Sequence, residues 1–589
     1  MALLQPIIDL ADLLARRGVV HVVVSPGSRS APLTLAVARH PGLQVRVMAD
    51  ERAAGFVALG MAQQLAQPVA LICTSGSAAY NLAPALVEAY FQQVPLILLT
   101  ADRPHEWLHQ QDGQTMHQSG LYEPHVKRSY DLPADYGHAD SRWAINRQVN
   151  EALTLCQLMP PGPVHINVPL REPFYPTASE VFRPGPVRTI ETLPGQPTLD
   201  TASWHALLDE WDTTDRRLIL LGQCRPNPAL RRVLHAISTE LGVPVLAEIT
   251  GNLGVGEPFI THTDTGLAAL TPEQAQALRP DLLLTLGNSL LTRNLKTFFR
   301  TCPAPRHWHI QPNPDRISDP FQSLTTLIPA DPVQFLEKLL TDIDFARFRF
   351  GDDDDAGESD AFLTHWQQTD QRARKRVHQT LAAATSSMTD WQATQRVLAA
   401  LPQGSSLQLA NSMPVRYANL CGLSASASVA VWANRGVSGI DGCLSTAVGM
   451  ATQTTAIVTV LIGDVAFFYD RNGLWSAPVP PNLRIVLLNN DSGHIFRIID
   501  GPGRQPELEP YFETPHGYTA ERTAADAGLD YHACRDLTHL DAVLPAFFAL
   551  ADRAQLLEIT TDKYANEAQF RNYQTLLTGE TSQPENPPR

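Results

Sequence analysis

The chain has 589 residues with 45 basic and 60 acidic side chains, a formal net charge of −15, and at roughly 150 residues per domain it holds three or four domains. Apolar residues at 44% and charged residues at 18% suit a soluble globular enzyme, and the acidic balance argues against nucleic acid or an anionic membrane as the main partner. Seven dispersed cysteines without a C-x-x-C pair read as reduced thiols of a cytoplasmic protein, and the longest apolar runs, 94–101 and 456–462, fall short of the ~18 residues that span a membrane.

The chain opens on an amphipathic helical pattern that contains Asp9 and Asp12 and lacks a basic start, so it is not a secretory signal. Short runs rich in β-branched residues follow, each trailed by a helical stretch, at 19–25, 43–48, 69–73, 95–100 and 164–168. This is the pattern of parallel βα units. A Pro- and Gly-containing stretch, 183–197, reads as a linker. A second βα set occupies 217–221, 243–249, 281–286 and 307–310, and the acidic run 351–355 marks the next boundary. A third set lies at 406–410, 429–432, 457–463, 483–488 and 556–560, and the Pro-rich end, 584–589, reads as a frayed tail. The expected fold is α/β, with three consecutive domains built on mainly parallel sheets: 1–182, 198–345 and 375–575.

Gly463-Asp464 ends one apolar run of the third domain and Asn489-Asn490 ends the next, so both reach the carboxyl edge of one parallel sheet, where open α/β folds bind ligands. Mg²⁺ takes few oxygen ligands from protein and the rest from phosphate and water. Asp464, the Asn490 amide oxygen and the Ser492 carbonyl supply three such ligands. The segment resembles the thiamine diphosphate signature, Gly-Asp-Gly followed some two dozen residues later by Asn-Asn, with Val465 in place of the second glycine. In the first domain Asp50-Glu51-Arg52-Ala53-Ala54-Gly55 follows the second strand, and Thr74-Ser75-Gly76-Ser77 with Asn81 follows the third. Together they resemble a pyrimidine-binding domain. There Glu51 takes the place of the carboxylate that faces N1′ of the aminopyrimidine and drives the proton relay to thiazolium C2.

Three further segments, Ser25-Pro26-Gly27-Ser28-Arg29-Ser30, Thr100-Ala101-Asp102-Arg103-Pro104 and Asn434-Arg435-Gly436-Val437-Ser438-Gly439-Ile440-Asp441-Gly442, narrow the resemblance. They are similar to the 2-succinyl-5-enolpyruvyl-6-hydroxy-3-cyclohexene-1-carboxylate synthase (MenD) family. The resemblance implies a transferase dependent on thiamine diphosphate and Mg²⁺ or Mn²⁺, serving menaquinone or phylloquinone biosynthesis. Such an enzyme decarboxylates 2-oxoglutarate and adds the succinic semialdehyde carbanion to isochorismate in a 1,4-addition. It also implies a homodimer or homotetramer with active sites between subunits.

Carried over residue by residue, Ser412, Arg416 and Arg435 resemble the donor-carboxylate site, and Ser28, Arg29, Arg103 and Gln114 the isochorismate side. The multi-anionic substrates suit arginine, whose planar fork takes carboxylates in pairs of hydrogen bonds. Glu51, Gln114, Arg29, Arg416 and Arg435 form the expected catalytic set. The cofactor is expected against Glu51, Thr74, Asn81, Ser412, Gly439, Ile440, Asp464, Val465, Ala466, Asn490, Ile495 and Phe496. Ile440 resembles the apolar wedge under the cofactor, and Ile495 and Phe496 the walls beside the thiazolium. In the middle domain Arg293 is expected to meet an acceptor carboxylate and Lys296 to act only at long range.

The alternative within the superfamily is an acetohydroxyacid synthase-like enzyme or a simple 2-oxo acid decarboxylase, which act on smaller substrates and need no such arginine set. A non-enzymatic scaffold has no use for Glu51, Asp464 and Asn490. A dinucleotide enzyme is disfavoured because Gly251-Asn252-Leu253-Gly254-Val255-Gly256 departs from G-x-G-x-x-G spacing. His105, His109, His117 and His125 lack metal-ligand spacing.

Overall fold

The computed structural model describes residues 4–578 apart from 173–174, 177–179, 194, 196, 314–315, 344–352, 424–427, 476–477 and 500. The βα runs form three sheets whose strands all pair in parallel. The first contains β1 (His21–Val24), β2 (Gln44–Val47), β3 (Val69–Cys73), β4 (Leu96–Asp102), β5 (Ser129–Asp131) and β6 (Val164–Pro169), in the order β2-β1-β3-β4-β6-β5. The second contains β7 (Arg217–Leu221), β8 (Val245–Ala247), β9 (Leu282–Leu286), β10 (Arg306–Gln311) and β11 (Thr326–Pro329), in the order β11-β10-β9-β7-β8. The third contains β12 (Ser406–Leu409), β13 (Ala430–Ala433), β14 (Val458–Gly463), β15 (Leu483–Asn489), β16 (Asp530–Cys534) and β17 (Gln555–Thr560). Its order, β13-β12-β14-β15-β17-β16, repeats that of the first sheet position for position.

The central strands are apolar along their whole length because helices cover both faces. Alternate residues of β3 and β4 therefore enter two different cores. Leu71, Cys73, Leu96 and Leu98 join one with helix Glu51–Leu65, while Ala70, Ile72, Ile97 and Leu99 join another with helices Gln5–Arg16 and Ala139–Gln157. The first of these cores continues into β14, β15 and helix Cys443–Ala451 of the third sheet. Where helices Glu51–Leu65 and Cys443–Ala451 cross, backbone meets backbone. A Cβ on Gly60 would lie 1.9 Å from the Thr446 carbonyl oxygen, and one on Gly449 would lie 2.0 Å from that of Val57.

Three strands carry no signal in the expected runs: β5, β11 and β16. Each stands at the end of its sheet. An edge strand is supported from one side, so it needs no continuous apolar run, and Asp530–Cys534 is largely exposed or half-buried. The expected linker 183–197 does not hang free where it is described. Gly185 donates to Asp9, Ile190 donates to Asn150, and Asn146 and Asn150 donate to the Arg188 carbonyl. The expected start of the third domain at 375 falls inside one continuous helix, Asp353–Ala382. The remainder of the acidic run, 351–352, and the Pro-rich tail lie outside the described residues. Among the described residues no helix is long and apolar enough to cross a membrane.

Candidate active site

The loops that leave the carboxyl ends of β1, β3 and β4 converge. A Cβ on Gly27 would lie 2.2 Å from that of Thr74, and one on Gly76 would lie 3.1 Å from the Gln114 Cα. Gly76 has φ +84° and Gln114 φ +56°, left-handed conformations that an L side chain adopts only under tertiary constraint. Gln118 ties this loop to β4: it accepts from the Gly76 amide at 2.8 Å and donates to the Ala101 carbonyl at 3.0 Å. Arg29 is buried and donates to the Leu170 carbonyl at 3.2 Å. Burial first, and then the like charge of Arg103, draws its guanidinium pKa below the usual value. Arg103 pairs with Asp112 at 3.0 Å and keeps a buried Nε with no hydrogen-bond partner among the described residues. Ser28 stands exposed beside them.

Glu51 is the first residue of its helix, half-exposed, and its Oε2 accepts from Asn81 at 3.2 Å. Asp50 takes the capping role, accepting from the Ala53 amide at 3.1 Å, so the Glu51 carboxylate is not consumed in capping. The Thr74 and Ser75 hydroxyls are buried without partners among the described residues.

On the third sheet Asp464 is 2% exposed. Its Oδ1 accepts from the Val465 amide at 2.7 Å, and its Oδ2 accepts from the amides of Asn490 and Ser492 at 3.1 Å each. The structure thus brings Asp464, Asn490 and Ser492 into one cluster. Asn490 Nδ2 donates to Asp390 at 2.7 Å, which orients the amide, and Asn490 Oδ1 and the Ser492 hydroxyl are buried with no partner among the described residues. An acidic oxygen beside unsatisfied buried oxygens fits a hard divalent cation. Val465, in the place of a signature glycine, sits half-buried in helix Asp464–Asp470 beside the buried Ala466 and displaces none of these oxygens.

Next to this cluster, helix Met413–Cys421 starts after Ser412, whose φ is +74°. Pro414 of that helix stands 4.0 Å from where a Cβ on Gly463 would be. Arg416 donates to the Ser412 carbonyl, and Arg435 donates to Asn411 Oδ1 at 2.9 Å while its Nε is buried without a partner among the described residues. Burial lowers the pKa of both arginines, and Arg435 adds to the effect on Arg416. Asn411 Nδ2 also donates to the Gly439 carbonyl at 2.7 Å, and the neighbouring Ile440 packs half-buried on the shared core. Ile495 and Phe496 lie on the short helix Ile495–Ile498. Their neighbour Arg497 pins it to Glu513 at 2.8 Å and Glu509 at 2.7 Å.

The two basic residues singled out in the middle domain are placed differently. Arg293 is exposed at the start of helix Arg293–Thr301, whereas Lys296 is half-buried and donates to the Leu290 carbonyl at 2.7 Å. Burial lowers the Lys296 pKa against the pull of Glu248, and Arg435 is among the charges it senses. The loop is set by Glu248, whose buried carboxylate accepts from the amides of Leu291 and Thr292. The glycine-containing stretch after β8 is a docking loop. Asn252 holds φ +60° and exchanges hydrogen bonds of 2.7 Å and 3.0 Å with the backbone of Val431 on β13.

Sequence reasoning missed Asp390, Glu248 and His516, whose Nε2 lies 3.5 Å from Asp464 Oδ2. Asp390 starts a helix after a Thr389/Gln392 capping box and so looks like ordinary first-turn acid. His516 reaches the cluster because Asp491 Oδ1 accepts from the amides of His516 and Gly517 at 2.8 Å and 2.6 Å, a fold-back across 25 residues that leaves no local signal.

The family described as thiamine pyrophosphate enzyme, N-terminal TPP binding domain, matches residues 9–121. Proteins named 2-succinyl-5-enolpyruvyl-6-hydroxy-3-cyclohexene-1-carboxylate synthase align along nearly the whole chain. That of Cytophaga hutchinsonii is 42% identical over 98% of this chain and 99% of its own. That of Porphyromonas gingivalis is 35% identical over 97% of each, and that of Bacteroides fragilis 35% over 96% and 98%.

Proposed function

Because the chain belongs to the 2-succinyl-5-enolpyruvyl-6-hydroxy-3-cyclohexene-1-carboxylate synthase family, we propose that it decarboxylates 2-oxoglutarate and joins the four-carbon remainder to isochorismate by 1,4-addition, releasing CO₂, in menaquinone biosynthesis. Thiamine diphosphate, when bound, supplies the electron sink for the decarboxylation. The observation that carries the reading is one sheet edge that gathers Arg416 and Arg435 after β12 and β13, the latter with a buried Nε that has no partner among the described residues, and the Asp464–Asn490 oxygens after β14 and β15. Incubating the enzyme with both substrates, thiamine diphosphate and Mg²⁺, and identifying the product by mass spectrometry, tests it. CO₂ release without the conjugate product would refute it.

In this reading residues 1–182 bind the pyrimidine, 375–575 bind the diphosphate, and 198–345 lie between. Asp464, Asn490 Oδ1 and the Ser492 carbonyl hold Mg²⁺ or Mn²⁺. Glu51 holds the pyrimidine proton, and Thr74, Asn81, Ser412, Gly439, Ile440, Val465, Ala466, Ile495 and Phe496 frame the cofactor. Ser28, Arg29, Arg103 and Gln114 receive isochorismate. The charges that Arg29 senses are Arg103, Glu172, Asp112 and Asp102, and those that Arg416 senses are Arg435 and Asp264. A cytoplasmic homodimer or homotetramer, in which these edges of different subunits face each other, belongs to the same reading.

Arg416→Ala removes a charge-assisted contact worth roughly 1.5–3 kcal/mol, so kcat/KM for 2-oxoglutarate falls about ten- to a hundredfold. Pyruvate, which lacks the distal carboxylate, is affected much less. Steady-state decarboxylation of both donors checks this, and equal losses would count against Arg416 as the reader of that group. Lys296→Ala removes a half-buried cation within electrostatic reach of Arg435 and raises the KM for 2-oxoglutarate several-fold. The exposed Arg293, changed to Ala, leaves that KM nearly unaltered, and its isochorismate KM decides whether it meets the acceptor.

A further inference from the structure

The loop that carries Arg435, Gly439 and Ile440 belongs to the third sheet but is held by a carboxylate of the first. Glu88, on helix Ala83–Gln92, is 1% exposed. Its Oε1 accepts from the Gly436 amide at 2.6 Å and from Gln92 Nε2, and its Oε2 accepts from the Val437 amide at 2.8 Å. Both lone-pair faces of one buried carboxylate are thus spent on consecutive loop amides 348 and 349 residues away. The fit is close enough to dictate sequence, since a Cβ on Gly436 would lie 2.6 Å from the Glu88 carbonyl oxygen. On the far side of Arg435 the loop is tied to its own sheet. Asn434 accepts from Gln408 at 2.9 Å and donates to Thr446 at 3.0 Å, and Asn411 donates to the Asn434 carbonyl at 2.7 Å. The middle domain adds Gln223, which donates to the Ala433 carbonyl at 2.9 Å. Arg435 is therefore suspended between two clamps, one from each outer sheet, and its Nε has no hydrogen-bond partner among the described residues.

We infer that Glu88 is a positioning residue for donor selection: by gripping the amides of Gly436 and Val437 from the first domain, it sets where the Arg435 guanidinium stands. The inference rests on the proposed donor site. A carboxylate that accepts several amide hydrogen bonds has no isosteric substitute, because an amide in its place turns an NH₂ toward an N–H. A buried N–H left unpaired forces the loop to shift.

The test uses the full-length enzyme with thiamine diphosphate and Mg²⁺, measuring kcat and both KM values for wild type, Glu88→Gln and Arg435→Ala. In Glu88→Gln the KM for 2-oxoglutarate rises about ten- to a hundredfold, the range for loss of a supporting partner behind a ligand-binding group. Its kcat and its KM for isochorismate stay within about threefold of wild type. A merely structural role would instead lower kcat and move both KM values together, and that pattern, or an unchanged 2-oxoglutarate KM, overturns the inference. Arg435→Ala separates the two levels. If it leaves the 2-oxoglutarate KM unaltered, the donor-site reading itself fails; if it raises that KM and Glu88→Gln does not, only the role of Glu88 fails. Should Glu88→Gln not accumulate as folded protein, Gln92→Leu removes the side-chain donor to Glu88 and raises the same KM about five- to tenfold, the loss of about one hydrogen bond, with kcat and the isochorismate KM inside the threefold band. No change there is equally fatal.

Discussion

Glu51→Gln folds as the wild type does and loses turnover by about 10²–10⁴-fold, the range for a lost general acid–base group. The fold is spared because Asp50, not Glu51, caps the helix, and because the amide keeps the length and an oxygen for Asn81. The loss is chemical. A neutral amide at this position does not hold the pyrimidine proton as a carboxylate does, so the cofactor binds but is not activated. Circular dichroism and a thermal melt check the first half. Proton exchange at C2 of the bound cofactor, followed by NMR, checks the second, and an unchanged exchange rate would sink the assignment.

Asp464→Ala weakens thiamine diphosphate binding in the presence of Mg²⁺ by about 100-fold or more, above the 10- to 100-fold typical of losing an outer partner of a metal ligand. Two effects add. The charged ligand disappears, and the amides of Asn490 and Ser492 lose their buried acceptor, at roughly 1–3 kcal/mol each. Asp464→Asn separates them, because it restores an acceptor without the charge. Titration calorimetry with and without a chelator reads the result. Chelation lowers the wild-type affinity and leaves that of Asp464→Ala almost where it was; a variant with wild-type affinity in Mg²⁺ would refute the metal role.

The repeated strand order explains why so much of this architecture was legible. In both outer sheets the first strand leads to a serine-and-arginine loop, Ser28-Arg29 or Ser412 with Arg416. The second leads to Glu51 or Arg435, the third to Thr74 or Asp464, and the fourth to Arg103 or Asn490. Parallel strands bring such loops to one edge whatever lies between them, so motif order along the chain becomes proximity in space. What stayed hidden depends on a second surface. The edge strands β5, β11 and β16 take their pattern from a single neighbour. Glu88 looks like any amphipathic helix glutamate until the loop 348 residues away arrives on it. Lys296 and Arg293 are separated by helix rotation, which places one toward Arg435 and the other in solvent, and three residues of sequence do not announce which is which.

The crossing of Gly60 over Thr446 and of Gly449 over Val57 turns the separation of the two outer sheets into a fixed dimension of the molecule. Elsewhere in a core, a larger residue can be matched by a smaller one across the gap, and lineages drift through such exchanges. Here there is no side chain to trade, since carbonyl oxygens stand where the first carbon would go. The distance from the first sheet to the loop gripped by Glu88 is inherited from that contact and insulated from drift in the surrounding core. The residues proposed to select the substrates stand on the loops and helix starts at the sheet edges, so they can vary without touching that backbone contact.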